Sequence, residues 1–307
     1  MPRVSVIVPA YNADAHLAAA LESVLAQTYD DWEVVVADDG STDRTSAVAS
    51  AYGDRVRVVR SEVNRGLAQT RNLALAHATG ELVALLDADD CWLPGYLARQ
   101  VAAFDREEAR APGVGIVCCD AELAGPDGPL GETYAQRFGR PQPPVDAAQL
   151  LTGNRIFVSA LMPREVVDAV GGFEPSLRSA EDLDLWLRIV ERGHRVVYVP
   201  EALAVYRVAP GTLSQDTLRM TRSRQAVYRR ALARGRLSPP ARRQATRALR
   251  VERAAELVEL IRRDWRRRPL RTAVAVPLAA PTVIGVVARR PGAIRRAFAA
   301  RSSRSPR

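Results

Sequence analysis

Over its first hundred residues the chain alternates short unbroken apolar runs with longer stretches in which apolar residues recur every three or four positions. Val4-Ser5-Val6-Ile7-Val8 is a β-branched run that Pro9 ends, because proline cannot donate to a ladder. Asn12 or Asp14 is then expected to cap a helix whose Leu17, Leu21 and Leu25 form one buried stripe. Residues 33–37 read as a second strand, and Ser41 or Asp43 caps a helix through Ala51. Residues 55–59 make a third strand. Gly66 opens a loop before a helix from about Ala68 to Ala78, and Gly80 sits where a left-handed C-terminal residue is wanted. Residues 82–86 complete a fourth strand. Strands that are continuous apolar runs, separated by helices, predict an α/β, Rossmann-like, mostly parallel sheet with helices on both faces.

The polar residues at the strand ends supply the candidate chemistry. Leu82-Val83-Ala84-Leu85-Leu86 runs straight into Asp87-Ala88-Asp89-Asp90, and Glu33-Val34-Val35-Val36-Ala37 into Asp38-Asp39-Gly40-Ser41. Carboxylates that close a buried strand need a partner, since an unpaired charge at a core edge is costly. In sheets of this kind ligands bind beyond the carboxyl ends of the strands, where Tyr11, Asp38, Asp39, Asp87, Asp89 and Asp90 all fall. Converging carboxylates suit Mn²⁺ or Mg²⁺, which share their coordination with substrate phosphates. No GxxxxGK[ST] loop is present and no GxGxxG follows the first strand, so neither a P-loop nor a dinucleotide fingerprint supports the site. Arg65 and Arg71, in and after the Gly66 loop, are positioned to reach a phosphate or a sugar.

Beyond residue 100 the pattern is less regular. Residues 125–144, rich in Pro and Gly, read as a long loop over the acceptor side; residues 154–162, with Phe157 and Ser159, read as a strand, and so do residues 196–199 before Pro200. Ser179, Glu181 and Asp182 open an amphipathic helix with Leu185, Ile189 and Val190, where the helix dipole alone would favour acids.

Charge divides the chain. Its cations are all Arg, and residues 218–307 carry 25 of them against 4 acids, so this tail is about +21 and the chain before it about −12. The tail reads as helical, with a break at Pro239-Pro240 and an apolar stripe of Leu257, Leu260, Ile261 and Trp265. Residues 272–288 are uncharged but short and Pro-interrupted for a membrane span. Their Arg-rich flanks fit a segment lying on an anionic membrane surface; a helix packed on the main domain is the alternative. No nucleic-acid recognition fold accompanies the charge, so specific nucleic-acid binding is not expected. Cys91, Cys118 and Cys119 make neither a disulfide framework nor a zinc spacing, and the N-terminus enters a strand without an apolar leader, so a cytoplasmic setting is expected, peripheral on the inner face of the plasma membrane. His16, His77 and His194 are scattered and read as structural.

Four motifs in order over about 90 residues, Ser5-Val6-Ile7-Val8-Pro9-Ala10-Tyr11-Asn12, Asp38-Asp39-Gly40-Ser41-Thr42-Asp43, Asn64-Arg65-Gly66-Leu67 and Asp87-Ala88-Asp89-Asp90, resemble the family 2 glycosyltransferases of GT-A fold. The resemblance continues through Gly171-Gly172-Phe173 and Glu181-Asp182-Leu183-Asp184-Leu185-Trp186, covering roughly residues 3–215. It implies inverting transfer of a sugar from a UDP-, GDP- or dTDP-sugar. On that likeness Pro9, Tyr11, Asp38 and Asp39 line the nucleoside pocket, with Asp39 accepting from the base, and Arg71, Asp87 and Arg207 complete the donor site. Asp89 and Asp90 match the metal and ribose positions. Asp182 matches the general base, and Glu181 and Trp186 fall on the acceptor side, Glu181 either touching the acceptor or orienting the site. Where many relatives carry a His after Arg207 this chain has Ala209, which leaves Arg207 and Ser214 to hold the diphosphate. The Gln-x-x-Arg-Trp motif of polymerising relatives is missing, so a single addition is expected. The implied organisation is a donor half (1–100), an acceptor half (101–217) and an Arg-rich helical extension (218–307), acting on a glycan or lipid-linked acceptor. A nucleotidyltransferase that makes sugar nucleotides, or a non-catalytic sugar-nucleotide or membrane binder, are the competing readings.

Overall fold

The computed structural model describes residues 1–208 and 216–267. In chain order the elements are β1 (Val4–Ala10), α1 (Leu17–Leu25), β2 (Trp32–Asp38), α2 (Thr45–Ser50), β3 (Val56–Arg60), α3 (Leu67–His77), β4 (Leu82–Leu85), β5 (Cys91–Trp92) and α4 (Tyr96–Arg110). There follow β6 (Val114–Gly125), β7 (Gly128–Thr133), α5 (Tyr134–Phe138), α6 (Ala147–Leu150), β8 (Ala160–Pro163), α7 (Arg164–Ala169), α8 (Glu181–Val190), β9 (Arg195–Arg207), α9 (Thr217–Arg234) and α10 (Pro239–Arg267). One sheet runs β3-β2-β1-β4-β8-β6-β9-β5, with β7 paired to β6. The four N-terminal strands are mutually parallel; β8 joins β4 and β6 antiparallel, and β6 and β9 are parallel.

The apolar runs are unbroken because both faces of the sheet are covered. Side chains alternate along β1: Val4, Val6 and Val8 belong to the core layer that holds α1 and α4 (Leu17, Leu21, Leu97, Val101), whereas Ile7 belongs to the opposite layer, with α3, α8 and α9 (Ala74, Leu75, Leu185, Val227). A strand buried on both sides cannot show a polar alternation, so the unbroken pattern is the parallel-sheet signature.

Several local expectations need correction. Neither Asn12 nor Asp14 caps α1, which starts after His16; the Asn12 side chain instead accepts from the Thr42 backbone N–H at 2.9 Å and so ties two strand-end loops together. Neither Ser41 nor Asp43 is the N-cap of α2, which starts after Arg44 without a side-chain cap; Asp43 instead accepts from Thr45 N–H at 2.9 Å in the turn that leads into it. Gly80 has no left-handed backbone; a Cβ there would stand 2.7 Å from Ser5 N, so close packing on β1 explains the glycine. The long loop expected at 125–144 folds as the β6–β7 hairpin and as α5, whose start is a full capping box between Thr133 and Gln136. Residues 154–159 are not strand; β8 begins only at Ala160. β9 does not stop at Pro200 but runs to Arg207, the register with β6 shifting between Cys119 and Asp120, as expected where a proline interrupts a ladder.

Helices α9 and α10 pack on each other and on the main domain, α9 against α8 and α10 against α6. Pro239 and Pro240 are the first two residues of α10, where a missing N–H costs nothing. α10 buries Ala241, Ala245, Leu249 and Ala254, while Leu260, expected in the stripe, is exposed. Among the described residues no helix is long and apolar enough to cross a membrane; residues 272–288 lie outside them, as do Ala209 and Ser214.

Gly40 has φ +72°, and a Cβ on it would stand 2.9 Å from the Val63 carbonyl carbon. Gly40→Ala is therefore expected to destabilise the fold by about 2 kcal/mol, read as a lower urea midpoint at unchanged slope.

Candidate functional site

The carboxyl ends of β1, β2 and β4 form one rim. Asp38, fully buried, accepts from Ser41 N–H at 2.9 Å and meets the Arg60 guanidinium at 3.2 Å. Asp39, also buried, accepts from the backbone N–H groups of Arg65 and Gly66, both at 2.8 Å, one on each oxygen, and its own N–H donates to Ala10 O. The two acids thereby fix the loop that leads into α3. Pro9 is buried at the end of β1, and Tyr11, in the following loop, is half exposed (49%).

Asp87, Asp89 and Asp90 bring carboxylate oxygens within 4.8 Å of one another. Asp90 is buried; its Oδ1 accepts from Arg207 N–H at 2.9 Å, while its buried Oδ2 has no hydrogen-bond partner among the described residues. Arg207 Nε donates to the Asp89 carbonyl at 2.9 Å, so the end of β9 braces the turn. Burial, and then the charge of Asp87, push the Asp89 carboxyl up to about 6; burial and the charges of Asp89 and Asp87 hold that of Asp90 well above the usual carboxylate range. Crowded oxygen donors with an orphaned buried oxygen fit a hard divalent cation. In chelator the same crowding is a liability. Asp89→Asn is expected to raise Tm by about 3 °C in EDTA, a differential-scanning measurement in which a fall would mean no net repulsion.

Arg71 links this cluster to the far side of the site. Only 1% exposed, it pairs through Nη2 with Asp87 at 2.5 Å and through Nη1 with Glu181, and its guanidinium carbon lies 5.3 Å from the centre of the Phe173 ring. The expected donor contact is thus corrected: a guanidinium committed to two carboxylates is a strut inside the site and leaves the phosphates to other groups.

The far side is built on the start of α8. Ala180, just before it, has φ +57°; Asn12 and Ala180 are the non-glycine residues with positive φ among the described residues, and both border this site, where strain of this kind concentrates. Glu181 is buried, with Oε2 unpartnered, and burial outweighs Arg71 to push its carboxyl up to about 7. That geometry supports the orienting alternative for Glu181 over acceptor contact. Asp182 is partly exposed and accepts from Asn154 Nδ2 at 2.6 Å; burial raises its carboxyl, with Arg71 opposing. Trp186 is fully buried in the core, so its expected contact with an acceptor is also corrected: α8 is covered nearly all round, and Trp186 lies on a packed side. Asp184, also fully buried, receives Arg188 at 2.7 Å and Arg234 at 3.0 Å, which ties α8 to α9.

Two residues that sequence reading missed stand next to Asp182. Asn154 fixes its carboxylate, and Tyr134 Oη donates to Asn154 O at 3.3 Å while its ring meets Phe157 and Phe138. The capping box Thr133-x-x-Gln136 was a readable signal for the helix that carries Tyr134.

Comparison with known proteins gives one consistent result. The profile described as "Glycosyl transferase family 2" matches residues 5–171. EpsE of Bacillus subtilis, named as a glycosyltransferase, is 32% identical over 211 residues, 66% of this chain and 72% of EpsE. Staphylococcus aureus TarS (residues 1–349, with UDP-GlcNAc) superposes with a TM-score of 0.64 at 21% identity, over 83% of this chain and 73% of that one. The mannosyltransferase PcManGT of Pyrobaculum calidifontis, solved with GDP-Man and Mn²⁺, gives 0.60 at 24% identity over 97% and 79%. These structures share the mixed, curled α/β architecture, which is the GT-A fold.

Proposed function

Because the chain belongs to glycosyl transferase family 2 and is a glycosyltransferase, we propose that it transfers a sugar, with inversion, from a nucleotide-diphosphate donor to an acceptor hydroxyl. One observation carries this reading: Arg71 ties Asp87 of the acid cluster to Glu181, the neighbour of Asp182, so the candidate metal ligands and the candidate base share a single site. The UDP-GlcNAc and the GDP-Man with Mn²⁺ held by TarS and PcManGT support a UDP-, GDP- or dTDP-sugar here.

Residues 1–100 act as the donor half, with Pro9, Tyr11 and Asp39 around the nucleoside; the expected place of Asp38 there is corrected, since it is fully buried and braces the Ser41 turn and Arg60 behind the pocket. Asp89 and Asp90, with Asp87 beside them, would hold Mn²⁺ or Mg²⁺, which when bound neutralises the leaving diphosphate. Arg207, braced on Asp89 and Asp90, adds a cation beside that charge. Residues 101–217 act as the acceptor half. Asp182, oriented by Asn154, takes the hydroxyl proton as the acceptor oxygen bonds to the anomeric carbon and the bond to the diphosphate breaks. Burial raises its proton affinity above that of an ordinary aspartate, the direction a base needs, and Glu181 holds Arg71 in place. Residues 218–307 set the enzyme on an anionic cytoplasmic membrane surface, so that a glycan or lipid-linked acceptor is reached there for a single addition.

Incubation with UDP-, GDP- and dTDP-sugars is expected to release nucleoside diphosphate in the presence of Mn²⁺ and none in EDTA. Pyrophosphate formed instead from a sugar phosphate and a nucleoside triphosphate would assign the chain to the nucleotidyltransferases.

A further inference from the structure

Outside the acid rim, a cavity of about 470 Å³ lies between the segment after Phe173 and helices α9 and α10. Among the described residues Arg178, Arg219, Arg222 and Arg263 line it, against one carboxylate, Asp216. Carboxylates on α10 orient two of these cations: Arg222 Nε meets Glu256 at 2.8 Å, and Arg263 Nε meets Glu259 at 3.2 Å while its Nη2 reaches Asp216 at 3.5 Å. The other two are not compensated in this way. Arg219 Nε donates to the Arg178 carbonyl at 3.2 Å, and Arg178 has no ion-pair partner among the described residues. Leu177 and Leu218, both buried, add apolar lining.

Arg178 also connects this cavity to the rim. Its Nη1 stands 3.3 Å from where a Cβ on Gly66 would be, and the Gly66 N–H is one of the two that Asp39 holds. Four residues further along the chain is Asp182.

We propose that the cavity is a binding site for a phosphate-bearing group, held by the two guanidiniums, Arg178 and Arg219, that the carboxylates on α10 leave unpaired. Forked guanidinium donors match phosphate oxygens in pairs, and several converging on one space leave an excess of positive charge that an anion offsets. The apolar lining suits the first carbons of whatever carries the group. A lipid-linked acceptor and the nucleotide sugar both present a diphosphate, and only this choice of carrier rests on the functional reading above.

Titration calorimetry of the full chain with inorganic pyrophosphate, in EDTA so that no metal draws the anion to the acid rim, tests the site directly. Wild type is expected to bind, more weakly as salt rises, and Arg178→Gln/Arg219→Gln to bind at least about tenfold more weakly at unchanged Tm. Should the double variant lose stability, the single Arg178→Gln, at an exposed side chain, carries the same comparison. No binding by wild type, or equal binding by a folded variant, overturns the proposal. Two further arms identify the carrier. Co-sedimentation with phosphatidylcholine vesicles that contain a polyprenyl diphosphate, lost in the variant, assigns the site to a lipid; a raised KM for the nucleotide sugar assigns it to the donor. No difference in either arm overturns a role in the reaction. If wild type turns over no nucleotide sugar at all, the functional reading fails, while the pyrophosphate titration still judges the cavity.

Discussion

Asp182→Asn is expected to lower kcat by about a thousandfold while leaving the dissociation constant for the nucleotide within about twofold, because it removes a proton acceptor and no donor contact. The substitution keeps the shape of the side chain and an oxygen that can accept from Asn154, so the loss reports chemistry and not collapse. The pH profile supplies a second signature. The folded enzyme holds the Asp182 carboxyl above its ordinary value, chiefly through burial, so the base is protonated as pH falls through that raised value. The acid limb of kcat/KM, which reports the free enzyme, is therefore shifted upward from that of an ordinary aspartate in wild type. Stopped assays on wild type and variant across pH check both statements; a variant that retains a tenth or more of the wild-type rate would place the base elsewhere.

Arg71→Met is expected to be the most destabilising single substitution in the site, at about 3–5 kcal/mol and a fall in Tm of about 10 °C. The reason is what it leaves behind. Glu181 is buried and Asp87 partly so, and without the guanidinium their charges face each other with nothing between them. Arg71→Lys recovers little, since one ammonium cannot serve two carboxylates in a planar fork. Combining Arg71→Met with Glu181→Gln removes one of the stranded charges and is expected to restore part of the loss, a coupling that a double-mutant cycle in urea measures directly. Additive losses would mean that the strut carries no shared energy.

The parts of this account that local sequence could reveal are those set by local rules. The unbroken runs at Val4–Val8, Val34–Ala37 and Leu82–Leu86 announced a sheet buried on both faces, and the acids following two of them lie together on one rim. What escaped depends on partners far away in the chain. β9 passes Pro200 because β6, about 80 residues earlier, offers a register that absorbs it. Arg71 looks like any cation on a helix until Glu181, 110 residues on, is folded against it. Trp186 shares a helix with Leu183, Leu185, Leu187 and Ile189, all buried, so no single stripe separated core from surface and its aromatic ring could be taken for a sugar platform. Asn154 stands in an irregular segment without periodicity, and only the 2.6 Å contact with Asp182 gives it a role. The same limit applies to Asp39, whose two oxygens are used by the loop at Arg65 and Gly66, a bond set that no local pattern announces.

The central claim is that the acid rim holds a metal and a nucleoside diphosphate together. Thermal unfolding of wild type and Asp89→Asn with UDP, GDP and dTDP, each with Mn²⁺ and with EDTA, tests it most directly, because a ligand that binds only the folded state raises the midpoint. A rise is expected in wild type for one nucleotide, only when Mn²⁺ is present, and is expected to be lost in Asp89→Asn. An equal rise in EDTA, or one that survives Asp89→Asn unchanged, would contradict it.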